Sequence, residues 1–213
     1  MNFNRELSFL NDIIFLDGGS GAGKSALNSI IPCFDNVEIP IWDGYYEKLS
    51  LLFENGKLEE NAAVTLMRTA AEERFYDALV GRHTNFRIKD ASSIFHNPGI
   101  WQNIKRINLI DGDIIIETLK KNKTILTIGS HYISSFPSLI IKTFRKRLKL
   151  IEMIRHPSSL VLFWMDRRWS YRIGIDPRDF SLWISYKDKN LPWFVKGFEL
   201  EYLEMNEIEK TIN

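Results

Sequence analysis

The chain has one cysteine, Cys33, among its 213 residues. A single thiol excludes an intramolecular disulfide and a thiolate metal cluster, and a chain without crosslinks fits a reducing, cytoplasmic setting. Cys33 itself reads as a small buried residue at the end of a helix. Neither sign of charge dominates: 28 Lys and Arg stand against 27 Asp and Glu, a net charge of +1. No global field therefore recruits nucleic acid or an anionic membrane, and any anion site has to be local. No apolar run approaches the roughly 20 residues that a membrane span needs. The opening "MNFNRELSFLND" lacks the basic-then-apolar layout of a secretion signal. There is no internal repeat, low-complexity tract or Pro/Gly/Ser-rich linker, so residues 1–213 read as a single domain.

What is present is an ordinary globular balance, with 45% hydrophobic and 26% charged residues. Four apolar runs predict strands: "DIIFLD" (12–17), "VEIPIW" (37–42), "TILTIGS" (124–130) and "KLIEMI" (149–154). Their near-continuous Ile, Leu and Phe predict strands covered on both faces, as in a parallel sheet. Helical stripes lie between them. Val64, Met67, Ala71, Phe75 and Ala78 recur at three- and four-residue steps, with Gly81 as a stop. Phe136, Leu139, Ile140, Phe144 and Leu148 do the same over "SSFPSLIIKTFRKRLK". Pro157 suits a first helical turn, where its missing N–H is not needed. Alternating strands and helices predict an α/β fold, specifically a three-layer P-loop NTPase-like domain around a mostly parallel sheet. Ligands in such sheets sit beyond the carboxyl ends of the strands.

The string Gly18-Gly19-Ser20-Gly21-Ala22-Gly23-Lys24-Ser25 satisfies G-x-x-x-x-G-K-[ST] in full, directly after an apolar strand and before a helical run. Glycines let several N–H groups converge on one anion, and the following helix adds its positive end. Gly19 to Ser25 are thus candidate phosphate-binding residues, with Lys24 as a point charge and Ser25 as a hydroxyl donor or metal ligand. A bare structural turn is the competing reading. Such a loop commonly serves ATP with Mg²⁺, which calls for a carboxylate after a second strand. "KTILTIGSHY" ends in Ser130-His131 instead. Asp111 and Asp113 read more as a helix start. Asp43 in "IWDGYY" is either a base or simple turn chemistry.

The stretch "TILTIGSHYISSFPSLIIKTFRKRLKLIEMIRHPSSLVLFWMDRRW" resembles the centre of the sulfotransferases that use 3′-phosphoadenosine 5′-phosphosulfate (PAPS). In that family a strand ends in a Lys-Thr-His-like turn before a helix, and a second strand ends in Arg-x-Pro before another. The corresponding pieces are "GSHY" at 129–132 and Arg155-His156-Pro157, and the late segment "YKDKNLPWFVKGFELEYLEMNEIEK" is similar to that of some bacterial members. The chain departs from the pattern at Phe163, where the family commonly has serine, and at Gly129, where it often has lysine. The resemblance covers the loop and about residues 123–208, and leaves 37–122 as the expected seat of acceptor specificity.

The resemblance implies transfer of a sulfuryl group from PAPS to an acceptor hydroxyl on a small molecule or carbohydrate. It makes His131 the catalytic base, a role that an imidazole commonly fills. A packed histidine at a strand end is the alternative. Lys24, Ser25 and the loop amides would hold the 5′-phosphosulfate, and Arg155 the 3′-phosphate, where its fork suits phosphate better than lysine does. An ATP/Mg²⁺-dependent small-molecule kinase and a non-catalytic nucleotide-binding module remain open beside this reading.

Three further features have simpler readings. The basic run Lys142, Arg145, Lys146, Arg147 and Lys149 reads as a solvated helix end rather than a nucleic-acid surface. Phe163, Trp164, Trp169 and Tyr171 read as core before they read as a sugar or adenine platform. His83 and His96 share no metal-ligand spacing with His131 or His156, so no metal site is predicted.

Overall fold

In the computed structural model, residues 2–90, 92–96, 100–106, 113–173 and 175–212 are described. The chain forms two compact units, Met1–Met153 and Ile154–Asn213. Each has an apolar core built from its own residues.

The first unit is α/β. Its strands are β1 (Asp12–Asp17), β2 (Ile41–Trp42), β3 (Ile125–Gly129) and β4 (Leu148–Glu152), in the sheet order β2-β3-β1-β4. Every pairing is parallel, with Asp12 to Leu16 against Ile125 to Gly129 and Ile13 to Asp17 against Leu148 to Glu152. The helices are α1 (Lys24–Leu27), α2 (Tyr45–Glu54), α3 (Glu60–Leu79), α4 (Ile100–Arg106), α5 (Asp113–Asn122) and α6 (Ser138–Phe144). Among the described residues, no helix is long and apolar enough to cross a membrane.

The two central strands behave as their apolar runs predict: Ile13, Phe15, Leu16, Leu126 and Ile128 are fully buried. The two edge strands differ from expectation. The run 37–42 pairs regularly only at Ile41–Trp42, with one isolated bridge from Val37 to Ile125. Pro40 lies between them, and proline has no N–H to give a ladder. β4 is mostly exposed, since an edge strand has a neighbour on one side only.

α3 shows why its sequence becomes a helix. The Glu59 carboxylate caps it, accepting from the N–H groups of Asn61 and Ala62 at 3.0 Å each. Met67, Ala71 and Phe75 are buried as the stripe predicts, and Ala63 rather than Val64 fills the first turn. Gly81 follows with φ 77°, a left-handed stop. The second predicted helix is shorter than its stripe. α6 ends at Phe144, Arg145 takes φ 51°, and Leu148 opens β4 instead of closing a helix.

In the basic run, Arg145 and Lys146 are exposed, while Arg147 and Lys142 have partners. Arg147 donates to the main-chain oxygens of Leu7 (3.2 Å) and Leu10, and Lys142 pairs with Glu60 at 2.6 Å. Cys33 is exposed rather than buried, with Sγ 3.3 Å from the Ser29 carbonyl oxygen.

The second unit comprises α7 (Pro157–Asp166), an antiparallel hairpin of β5 (Trp183–Tyr186) and β6 (Lys189–Pro192), α8 (Glu199–Glu204) and α9 (Glu207–Ile212). Pro157 is the first residue of α7, as its locked φ predicts. Leu191, Val195 and Tyr202 form the core here. Phe163, Trp164 and Trp169 are not core as predicted, and Tyr171 is 52% exposed. They are a half-buried edge-to-face cluster, with the Arg167 guanidinium 4.5 Å from the Phe163 ring.

Candidate functional site

The sheet order places two loops together. The connection leaving β1 runs past β3 to the edge at β2, whereas the connection leaving β3 runs past β1 to β4. Adjacent strands whose connections leave in opposite directions open a crevice beyond their carboxyl ends, where α/β sheets bind ligands. The loop after β1 is Gly18 to Gly23, and the residues after β3 are Ser130 and His131.

Three loop glycines carry positive φ: Gly18 at 127°, Gly21 at 90° and Gly23 at 107°. At Gly18 the need is also steric, because an added Cβ would lie 2.3 Å from the Met153 carbonyl oxygen at the end of β4. Gly19, Ser20 and Gly21 are half-buried, Ala22 is buried, and Gly23 and Ser25 are exposed. The helix behind the loop is shorter than predicted. α1 has four residues and then breaks toward Pro32, so its dipole adds little.

Lys24 is buried and turned back into the loop. Its Nζ donates to the carbonyl oxygens of Gly18 and, at 3.2 Å, of Gly19. Burial lowers its pKa, and the negative charges of Asp17 and Glu47 oppose that shift. Its ammonium also lies 5.6 Å from the centre of a Trp42 ring. Asp17, wholly buried at the end of β1, accepts from the Ser130 hydroxyl at 2.8 Å and the Ser134 N–H at 2.7 Å. Burial alone would raise the Asp17 pKa. The bonds from Ser134, Ser130 and the Gly18 N–H outweigh it, and the net shift is downward. Asp17 is thereby a fixed anion that ties the loop strand to the turn after β3.

His131 is the exposed member, its side chain 45% accessible. Glu47, the buried first-turn acid of α2, accepts from the His131 backbone N–H and lies 3.5 Å from Nδ1. Nε2 has no partner among the described residues. The imidazole is 5.5 Å from the Trp42 ring, which thus neighbours both Lys24 and His131. Trp42 in turn covers Gly129, where a Cβ would meet the indole at 2.6 Å.

Sequence reasoning missed Glu47 and Trp42. A lone acid at the start of α2 carries no motif, and a tryptophan at a strand end reads as packing. Asp43, the alternative base, is engaged: it pairs with Arg74 at 2.7 Å and accepts from the Tyr45 N–H at 2.9 Å. Asp111 lies outside the described residues, and Asp113 is the first residue of α5. Arg155 belongs to the second unit, where it is exposed with its guanidinium 5.9 Å from the Phe163 ring. His83 lies 3.5 Å from Asp77, and His96 Nε2 is 2.7 Å from the Ile88 carbonyl oxygen. Among the described residues, no three His, Cys, Asp or Glu side chains converge as metal ligands.

The first unit therefore joins a glycine-rich loop with positive-φ positions, a buried lysine turned onto that loop, and an exposed imidazole with Nδ1 3.5 Å from a buried carboxylate. Such a set can neutralise a phosphate and take a proton from a neighbouring hydroxyl. Comparison with protein-family models, curated protein sequences and solved structures returns no match for the chain.

Proposed function

We propose that the first unit is a three-layer P-loop NTPase-like domain, and that the chain is a sulfotransferase-like enzyme moving a sulfuryl group from PAPS to an acceptor hydroxyl. The observation that carries this reading is the Glu47–His131 pair beside the lysine loop. Glu47 accepts from the His131 backbone N–H and stands 3.5 Å from Nδ1, where its charge would stabilise an imidazolium, and Nε2 has no partner among the described residues at an exposed position.

The loop fits a phosphate group. Its positive-φ glycines carry no side chain of their own, while the Lys24 ammonium lies turned onto the Gly18 and Gly19 carbonyls, which hold two of its three protons and leave one to donate. Gly19 to Ser25 would hold the 5′-phosphate, and PAPS when bound supplies the sulfuryl group. Lys24 neutralises charge at the loop, His131 Nε2 takes the acceptor proton, and Glu47 orients the ring and stabilises the imidazolium that forms. The assignment of Arg155 to the 3′-phosphate rests on the Arg-x-Pro motif after β4 alone.

Lys24-Ser25 also supports a second reading, an ATP/Mg²⁺-dependent small-molecule kinase. Calorimetric titration of 3′,5′-adenosine bisphosphate and of ATP, each with and without Mg²⁺, separates the two. Metal-independent preference for the bisphosphate, weakened in Arg155→Ala, is the expected result. Preference for ATP with Mg²⁺ would favour the kinase, and tight nucleotide binding without transfer would indicate a binding module. In His131→Ala, transfer should fall by about 10²–10⁴-fold with donor affinity nearly unchanged. Turnover surviving that substitution would end the assignment of the base.

A further inference from the structure

Beside β2, the first unit has a half-open cavity of about 230 Å³. It lies between the 38–42 run, the end of α3 and the segments that follow it. Drug-sized sites begin near 300 Å³, so an occupant here is small. Ile39, Ile41 and Ala78 give the cavity an apolar floor, while the carboxamides of Asn85 and Asn103 and the pair Glu38–Arg106 give it polar walls.

These polar groups carry no unmatched charge. Arg106 meets Glu38 through two bonds, Nη1 to Oε2 at 2.6 Å and Nη2 to Oε1 at 2.8 Å. An anionic occupant would find that guanidinium already matched. The Asn85 amide is fixed: Nδ2 donates to Asp90 at 3.2 Å and to the Ser92 hydroxyl at 2.9 Å, and Oδ1 accepts from the Arg87 N–H at 2.9 Å. Its amide protons are thus spent, and only a carbonyl lone pair is left for an occupant. Fixed carboxamide oxygens beside apolar lining suit a molecule with a C–H face and hydroxyls that donate to them.

Asn28, just past α1, supplies the second observation. It is 4% exposed, and neither its Nδ2 nor its Oδ1 has a hydrogen-bond partner among the described residues. Buried carboxamides are almost always paired, so an orphan needs a reason. It lines a recess of about 10 Å³ that shares Ile39, Pro40 and Ser92 with the larger cavity. The recess has the size of one water or one hydroxyl group. Trp42, a wall of the main cavity, neighbours Lys24 and His131.

We propose that this cavity is the acceptor site and takes a small uncharged polyhydroxylated molecule, with one hydroxyl inserted beside Asn28. The word acceptor rests on the transferase reading; the binding site does not. The test is saturation-transfer NMR on the full chain without donor, using methyl glucoside, methyl galactoside and myo-inositol at millimolar concentration. Asn28→Leu and Ala78→Leu are compared with wild type, and each melting temperature is recorded.

At least one probe should bind wild type, and both variants should weaken it by about tenfold or more. Asn28→Leu should melt no lower than wild type, because it removes an unpaired polar group. Absence of binding by every probe, or binding unchanged in Ala78→Leu, overturns the proposal. A lower melting temperature in Asn28→Leu, with probe binding kept, would mean that Asn28 holds a structural water and would overturn its role. Should Asn28→Leu not fold, Ala78→Leu decides. Bisphosphate titration of wild type separates the two claims: its failure with probe binding intact removes only the transferase reading, and the reverse removes only the cavity.

Discussion

At the scale of single residues, the buried anions do most to shape the site. Asp17 lies at the end of an apolar strand, a position where an isolated carboxylate would be costly. Three hydrogen-bond donors, Ser130, Ser134 and the Gly18 N–H, hold it charged and lower its pKa below the ordinary 3.8. A lowered folded pKa means that the stabilisation is present above that ordinary value and is lost as the pH falls through the folded value. Asp17→Asn should therefore cost about 1–3 kcal/mol at neutral pH, since its amide would face donors. The deficit relative to wild type should shrink on acidification below the ordinary carboxylate range. Urea melts at a series of pH values check this, and a deficit independent of pH would show that the charge of Asp17 is not what holds the turn.

At the scale of elements, glycines decide which segments can approach one another. Gly129 ends β3 directly under the Trp42 indole, so Gly129→Ala forces the ring to move. Overpacking of this kind costs about 1–3 kcal/mol. Because Trp42 also neighbours Lys24 and His131, the variant should lose ligand affinity along with stability. Thermal melts and bisphosphate titration measure the two effects, and a variant of unchanged stability would mean that the indole has room to yield. Elements also differ in how legible they were. β1 and α3 follow from local pattern, β1 from a short apolar run followed by glycines and α3 from a 3.6-residue stripe with a cap at one end and a glycine at the other. The segment after Phe144 did not, because its stripe continues to Leu148 while β1 recruits Leu148 into the sheet.

At the scale of the whole molecule, the two units have separate cores. The first core gathers residues from Leu10 to Phe144, and the sheet is complete by Glu152. A chain ended at Met153 is therefore expected to unfold cooperatively, with the circular-dichroism signature of an α/β fold. A broad, non-cooperative transition would show that the first unit depends on the second.

The sequence by itself determined the strand–loop–helix order, the G-x-x-x-x-G-K-S turn and the helix start at Pro157, since each depends on neighbours within a few residues. Only the tertiary structure decided which side chains share the site. Glu47 and His131 are 84 residues apart, and Ser130 and Asp17 are 113 apart. They meet because the strands lie side by side in the order β2-β3-β1-β4, and no local periodicity encodes that order. The orphaned carboxamide of Asn28 and the Trp42 wall are likewise products of packing, invisible until the elements close around them.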